Sequence, residues 1–364
     1  MKLKLKLKHS SPLLSLGALG IVYATGSDSA LMIAFTAIAL MYAVFSAVYY
    51  AERIAHKVGE PLGTLVLALA VTVIEVALII SIMLSGSGDG NAGDLTLARD
   101  TVFSAVMIIL NGIIGFCLFI GGVRHNEQGF QERGASTAIG VLTALCVLTL
   151  VLPNFTSSAD GPVFSSSQLA FAGIVSLVLY LSFIFIQTVK HKEYFMFSSV
   201  EDEVSIEEES HSPGGWLVLD IFALLVCLVS VVGLAKLLSP TLEAFVSIIG
   251  APQAVVGIII AALVLMPESI SAFRAARANQ LQTSMNLALG SALASIGLTI
   301  PTVAAIFIYL DQPLTLGLNT KETIMLALTL LVSTQTISTG KTTLMQGVTH
   351  IVLFATFLFM SVFP

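Results

Sequence analysis

LVLALAVTVIEVALIISIML, residues 65–84, has the length of a bilayer-crossing helix and carries a single charge, Glu75. VVGIIIAALVLMPESISAF, residues 255–273, repeats the pattern in the other half of the chain, with Glu268 as its only charge. Ionising a carboxylate at the bilayer centre costs several kcal/mol, so an acid in such a segment marks a functional site by default. Two of them, in corresponding places of the two halves, suggest one shared cation site near the bilayer midplane.

The composition supports a membrane setting. The chain has 364 residues, 56% hydrophobic and only 10% charged, with a mean hydropathy of +0.96. A soluble domain carries about 25% charged residues. Too few charges are present to coat a soluble globule of this size, so the chain reads as an all-α polytopic membrane protein surrounded by lipid. The net charge of −6 resides in connecting loops and offers no basic surface for nucleic acid. Cys117, Cys146 and Cys227 each fall in an apolar segment, as small hydrophobes rather than a disulfide framework. The opening MKLKLKLKHS and the apolar run Leu13–Tyr23 have the outline of a signal peptide, with Ala24-Thr25-Gly26 as a tolerable cleavage site. An uncleaved first helix is the preferred reading.

A spanning helix needs about 20 apolar residues. That ruler gives eleven spans, near 11–26, 29–50, 62–84, 98–122, 135–153, 168–189, 215–238, 253–273, 283–310, 323–339 and 345–362. Lys and Arg in short loops set the orientation. With a cytoplasmic N-terminus, 13 of the 16 basic residues lie inside, leaving Arg99, Lys236 and Lys321 near the outer face. The expected topology is therefore N-in and C-out, in the cell (inner) membrane. SGSGDGNAGD and NFTSSADGPVFSSS read as outer polar turns. Asn154-Phe155-Thr156 matches a glycosylation sequon, and chance accounts for it.

The acids Glu201-Asp202-Glu203 and Glu207-Glu208-Glu209 mark a cytoplasmic connection that divides the chain. The expected organisation is a basic tail and first helix (1–28), a five-helix repeat (29–190), the acidic loop (191–214) and a second five-helix repeat (215–364). The span with Glu75 runs inside to outside and the span with Glu268 runs the other way. They are the same element of an inverted repeat, a construction that secondary transporters use to build a midplane site.

Polar residues fall on helical stripes. Thr64, Ala68, Thr72 and Glu75 share a face of the third span; Thr101, Ser104, Asn111 and Gly115 lie along the fourth. Ser284, Ala288, Ser291, Ser295 and Thr302 form a stripe on the ninth. Small residues also let membrane helices pack closely, and that accounts for any single Ser or Thr. It does not account for the glutamates. Pro267 precedes Glu268 and removes a helical hydrogen bond, which predicts a break beside the carboxylate. Calcium takes six to eight hard oxygen ligands. Glu75 and Glu268 supply the charged ones, with Ser291, Asn111, Ser295, Thr72 and Ser104 as secondary ligands or lining. Without a metal, two neighbouring carboxylates in a low dielectric repel, so the empty pair takes up protons. That requirement couples cation flux to opposing proton flux.

At these residues the chain resembles the calcium/cation antiporter superfamily, in its cation/proton exchanger branch with the bacterial ChaA-like antiporters. GEPLGTLVLALAVTVIEVALI (59–79) resembles the start of the first α-repeat, expected over about 59–122. PESISAFRAARANQLQTSMNLALGSALASIGLTIPTV (267–303) resembles the second, expected over about 253–310. STGKTTLMQG (338–347) resembles the stretch before the family's last helix and lacks the leading Gly of a phosphate loop. The resemblance implies an eleven-helix fold, one extra N-terminal helix plus two inverted five-helix repeats, in which Glu75 and Glu268 bind the exported cation. It departs from the family at Val73-Ile74 and Met266-Pro267, where a Gly-Asn kink is expected. Ser269 stands where many relatives have His, and Ala294 where they have Gln.

The implied activity is exchange of cytoplasmic Ca²⁺, with Na⁺ and K⁺ as further cargo, for protons by alternating access. The alternatives are a Na⁺ or K⁺/H⁺ antiporter with little Ca²⁺ activity and, behind it, a cation channel. No cofactor is implied; the partners are transported ions and lipid, and a homo-oligomer is compatible with the sequence. The motifs of an intramembrane protease, paired Asp, Ser/His or HExxH, are absent from the spans. His350 reads as an interfacial or packed residue rather than a ligand.

Overall fold

The computed structural model describes residues 11–25, 29–58, 62–85, 96–195, 217–248, 250, 252 and 254–363. The basic tail 1–10, the turn at 86–95 and the acidic residues 201–209 lie outside the described residues, as does the side chain of Thr64. A helix stands in each interval read from the sequence. The order is α1 (Ser11–Thr25), α2 (Ala30–Val58), α3 (Leu62–Ser85), α4 (Leu97–His125), α5 (Glu132–Phe155), α6 (Ser166–Lys190) and α7 (Leu217–Ile248). Then come α8 (Ala254–Val264), α9 (Met266–Arg277), α10 (Leu281–Tyr309), α11 (Thr320–Ile337) and α12 (Leu344–Val362). By length and apolar composition, seven described helices can cross a membrane, or eight when the α8–α9 pair counts as one bent span. This is a multi-span helical membrane protein.

The helices form two compact units: α1–α3 with α7, and α4–α6 with α8–α12. The grouping does not follow the order of the chain, because α7 joins the first three helices.

In the first unit the long helices α2 and α7 lie along each other, and α1 and α3 pack on both. Ala39, Ala43, Ala47 and Ala51 repeat every fourth residue of α2 and are all buried. Such a stripe lets membrane helices approach closely, where van der Waals contact supplies the attraction. Asp220, in the first turn of α7, is buried and meets Arg53 Nη2 at 3.2 Å and Lys57 Nζ at 2.7 Å. These pairs bring the last turns of α2 beside the start of α7, so the two helices run antiparallel.

In the second unit the loops gather at two ends. At one, β1 (Gln128–Gly129) pairs antiparallel with β2 (Lys341–Thr342). Gln128 Nε2 donates to Ala276 O at 3.1 Å, the Gln131 amide donates to Gln282 Oε1 at 2.6 Å, and Asn286 Nδ2 donates to Phe195 O at 2.7 Å. The loops after α4, α6, α9 and α11 therefore share one end, which also carries Arg124, Arg133, Arg274, Arg277 and Lys341. At the other, Arg99 Nη1 donates to Gly317 O at 2.9 Å and Asn154 Nδ2 to Leu318 O at 2.6 Å. The amide nitrogen of the sequon asparagine is thus engaged in joining two loops. Cys117, Cys146 and Cys227 are buried free thiols.

Candidate functional site

Glu75 and Thr72 belong to the first unit, on α3. Glu75 is 3% exposed, flanked by the buried Ile74, Val76 and Leu78. Thr72 is buried and its hydroxyl donates to Ala68 O at 2.8 Å, one turn back along the same helix. The other sequence-predicted site residues, Glu268, Ser291, Ser295, Ser104 and Asn111, belong to the second unit.

Glu268 lies just past the break anticipated at Pro267. Helices α8 and α9 meet at Leu265 and are bent by 56°. The Leu265 amide still bonds Ala261 O at 2.9 Å and the Ser269 amide bonds Leu265 O at 2.9 Å. Pro267 has no N–H to give the carbonyl of Leu263, four residues earlier. Glu268 falls in the first turn of α9, where outward-pointing amides and the helix dipole favour negative charge. The carboxylate thus sits at a helix start, with a carbonyl that Pro267 cannot bond one turn before it.

The hairpin of α9 and α10 sets the level of the serines. Counted from the 278–280 turn, Glu268 lies about 14 Å up α9 and Ser291 about 15 Å up α10 at the helical rise. Ser291 is half-buried, while Ser284 and Ser295 are buried on the inner face of α10. Thr302, placed on the same stripe from spacing, is exposed, and its hydroxyl donates back to Leu298 O at 2.7 Å. Beyond Pro301, which lies within α10, the stripe no longer faces inward.

Asn111 occupies a different environment from the one expected. It sits in a π-helical turn, Ile108–Ile113, inside α4, and is fully buried. Its Nδ2 donates to Thr329 Oγ1 of α11 at 2.8 Å, and its Oδ1 is 3.1 Å from His350 Nδ1 of α12. On its other side, His350 Nε2 is 3.1 Å from Thr336 Oγ1 of α11. Both ends of the Asn111 carboxamide are therefore held by protein, and a cation would compete with His350 for Oδ1. Ser104, about two turns nearer the start of α4, is buried as well.

His350, Thr329 and Thr336 were not assigned to the site from sequence, where His350 stood alone. The signal available was on α11, where Glu322, Thr329, Ser333 and Thr336 follow one helical stripe. Ser333 is 3% exposed, and its hydroxyl has no hydrogen-bond partner among the described residues.

At the end of the second unit away from β1 and β2, a cavity of about 300 Å³ is lined by Arg99, Asp100, Phe103, Glu322 and Phe357, among others. Asp100 is buried; Arg99 Nη2 approaches its Oδ1 at 2.7 Å, and Thr96 Oγ1 donates to its Oδ2 at 3.0 Å. Phe103 and Phe357 meet edge to face, with centroids 5.6 Å apart. Among the described residues no three His, Cys, Asp or Glu side chains cluster as a metal site.

Comparison with known proteins adds the family context. The model of the sodium/calcium exchanger protein family matches residues 29–189 and 219–363. The y4hA protein of Sinorhizobium fredii (strain NBRC 101917 / NGR234) is 47% identical over 96% of this chain and 93% of its own length. The sodium-potassium/proton antiporter ChaA of Escherichia coli (strain K12) is 32% identical over 98% of this chain and 96% of its own. Among solved structures, the Ca²⁺/H⁺ antiporter protein YfkE superposes with a TM-score of 0.71 at 15% identity, covering 98% of this chain and 100% of that one. At that identity the likeness concerns the fold.

Proposed function

Because this chain belongs to the sodium/calcium exchanger protein family, we propose that it exchanges a cytoplasmic cation for protons, with Glu75 and Glu268 as the carboxylates that carry either. The observation that carries this reading is the placement of Glu268 in the first turn of a helix broken at Pro267. An ionised acid at that depth requires a compensating positive charge, metallic or protonic. Glu75, buried on an apolar helix, carries the same requirement. Alternating access then moves sites that are charge-compensated in every state, and the exchange of cation for proton follows from that condition.

The proposed cargo is Ca²⁺, with Na⁺ and K⁺ accepted as well. A second reading, a Na⁺ or K⁺/H⁺ antiporter with little Ca²⁺ activity, is favoured by two observations. One is the relative at 32% identity, named for sodium and potassium exchange. The other is the neutral ligand set: Ala294 supplies no oxygen from its side chain, and Asn111 is engaged on both ends. Calcium asks for more oxygens than either monovalent ion. The proposed membrane arrangement has eleven spans in an inverted repeat, with a cytoplasmic N-terminus. The antiparallel run of α2 and α7, and the shared end of the basic loops in the second unit, support it.

Everted vesicles carrying the protein test the reading. An imposed pH gradient should collapse on adding micromolar Ca²⁺ and, at higher concentrations, Na⁺ or K⁺. Collapse by Na⁺ or K⁺ with no response to Ca²⁺ moves the assignment to the second reading. No response to any of them removes cation/proton exchange.

A further inference from the structure

The Asn111 amide sets the order of the bonds around His350, whose ring also meets the Leu110 backbone within the π turn. Asn111 Nδ2 is the donor to Thr329 Oγ1, so Oδ1 is the acceptor facing His350. His350 must then donate from Nδ1, and in the neutral ring Nε2 is left to accept from the Thr336 hydroxyl. Thr329 Oγ1 donates onward to Met107 Sδ at 3.5 Å. The chain therefore reads Thr336 to His350 to Asn111 to Thr329 to Met107, and it joins α4, α11 and α12. It ends on a thioether, a weak acceptor that passes no proton on. That termination makes the chain a lock rather than a proton wire.

What it locks is the π turn Ile108–Ile113. Such turns carry one residue more than the helix around them and recur at functional sites. Here the turn packs on α9, which bears Glu268, and on α10, which bears Ser291 and Ser295. Phe116, just beyond the turn, meets Phe273 of α9 edge to face at 6.2 Å. The imidazole reaches Asn111 because position 115 is glycine: a Cβ there would stand 2.8 Å from His350 Cβ.

We propose that His350 is a positioning residue for the cation site: through Nδ1–H it fixes Asn111 and the π turn against which the Glu268-bearing helix rests. The inference rests on the exchanger reading for its consequence, while the lock itself is independent of cargo.

The test compares wild type with His350→Asn, His350→Gln and His350→Leu, each as full-length protein. Asn sets its amide nitrogen where Nδ1 was and keeps the bond to Asn111; Gln reaches toward Thr336 instead, and Leu makes neither. In vesicles, H350N should hold the half-saturating cation concentration within about twofold of wild type. H350Q and H350L should raise it about fivefold or more, with little change in maximal rate. Deuterium exchange on purified protein should quicken over residues 108–113 and the start of α9 in H350Q and H350L, and not in H350N. Equal behaviour of H350N and H350Q, or unchanged affinity in H350L, overturns the proposal. Should the His350 variants fail to fold, Thr329→Val breaks the lock from the other side of Asn111 and must raise the half-saturating concentration in the same way. If wild type exchanges no cation, the exchanger reading falls, and deuterium exchange alone decides whether the lock exists.

Discussion

Lys57 Nζ stands 2.7 Å from Asp220 Oδ2, across 163 residues of sequence, with Arg53 on the other carboxylate oxygen. The acid is 5% exposed at its side chain, whereas the two bases are 26% and 24% exposed and reach water. Removing the acid leaves cations that can turn outward, so the loss is smaller than for a fully buried pair. Asp220→Ala should cost about 2 kcal/mol and lower the thermal midpoint in detergent by several degrees. Lys57→Ala, which leaves Arg53 in place, should cost less than half of that by the same reasoning. Equal midpoints for wild type and D220A would mean the clamp holds nothing.

Gly115 and Gly140 make a matched pair of tests. A Cβ at position 115 would lie 2.8 Å from His350 Cβ and 3.2 Å from the Ile351 amide nitrogen, so α12 must shift to admit it. Gly115→Ala should destabilise by about 1–3 kcal/mol, as overpacking does. At position 140 nothing lies within 4 Å of a built Cβ. Gly140→Ala, in α5, should be neutral or stabilise by about 0.5–1 kcal/mol, since Gly is a poor helix former. Thermal unfolding of both variants checks the contrast.

Much of this architecture was legible because membrane helices announce themselves by apolar length, and a lone acid in such a run has no bland explanation. Glu75 and Glu268 were singled out that way, and Pro267 marked the break that the structure shows. The π turn was not, because one inserted residue within ILNGI changes neither hydropathy nor propensity. Nor was the meeting of His350 with Asn111, 239 residues apart, since helix neighbours in lipid are chosen by small-residue fit rather than by pattern. For the same reason α7 could be assigned to a half of the chain but not to the company of α1–α3. Asn111, singled out as a secondary ligand or lining residue, is buried with its carboxamide bonded to other helices.

Pro267 separates two roles that proline plays, ending a helix and freeing a carbonyl. Pro267→Ala restores an N–H opposite the Leu263 carbonyl and lets α8 and α9 straighten toward one helix. The protein should be as stable as wild type or more so, because an unmade backbone bond is now made. Exchange should fall by about tenfold or more, since the carboxylate leaves its place at a helix start. A thermal midpoint that drops while transport persists would reverse that expectation.

The two glutamates carry the strongest prediction. Glu75→Gln and Glu268→Gln keep the size of each side chain and a hydrogen-bonding amide while removing the charge and the proton that balances it. In an exchanger each variant should lose cation-driven collapse of a pH gradient by about a hundredfold or more, because one missing carboxylate removes both a ligand charge and a proton carrier. In a channel, which needs no proton counterflow, one substitution should leave conduction in place. Glu268→Asp keeps the charge but shortens the reach, so it should weaken cation affinity more than maximal rate. Gradient collapse measured for both Gln variants beside wild type, with protein amounts matched in the vesicles, separates these outcomes. Persistence of coupled exchange in either Gln variant would remove that carboxylate from the mechanism.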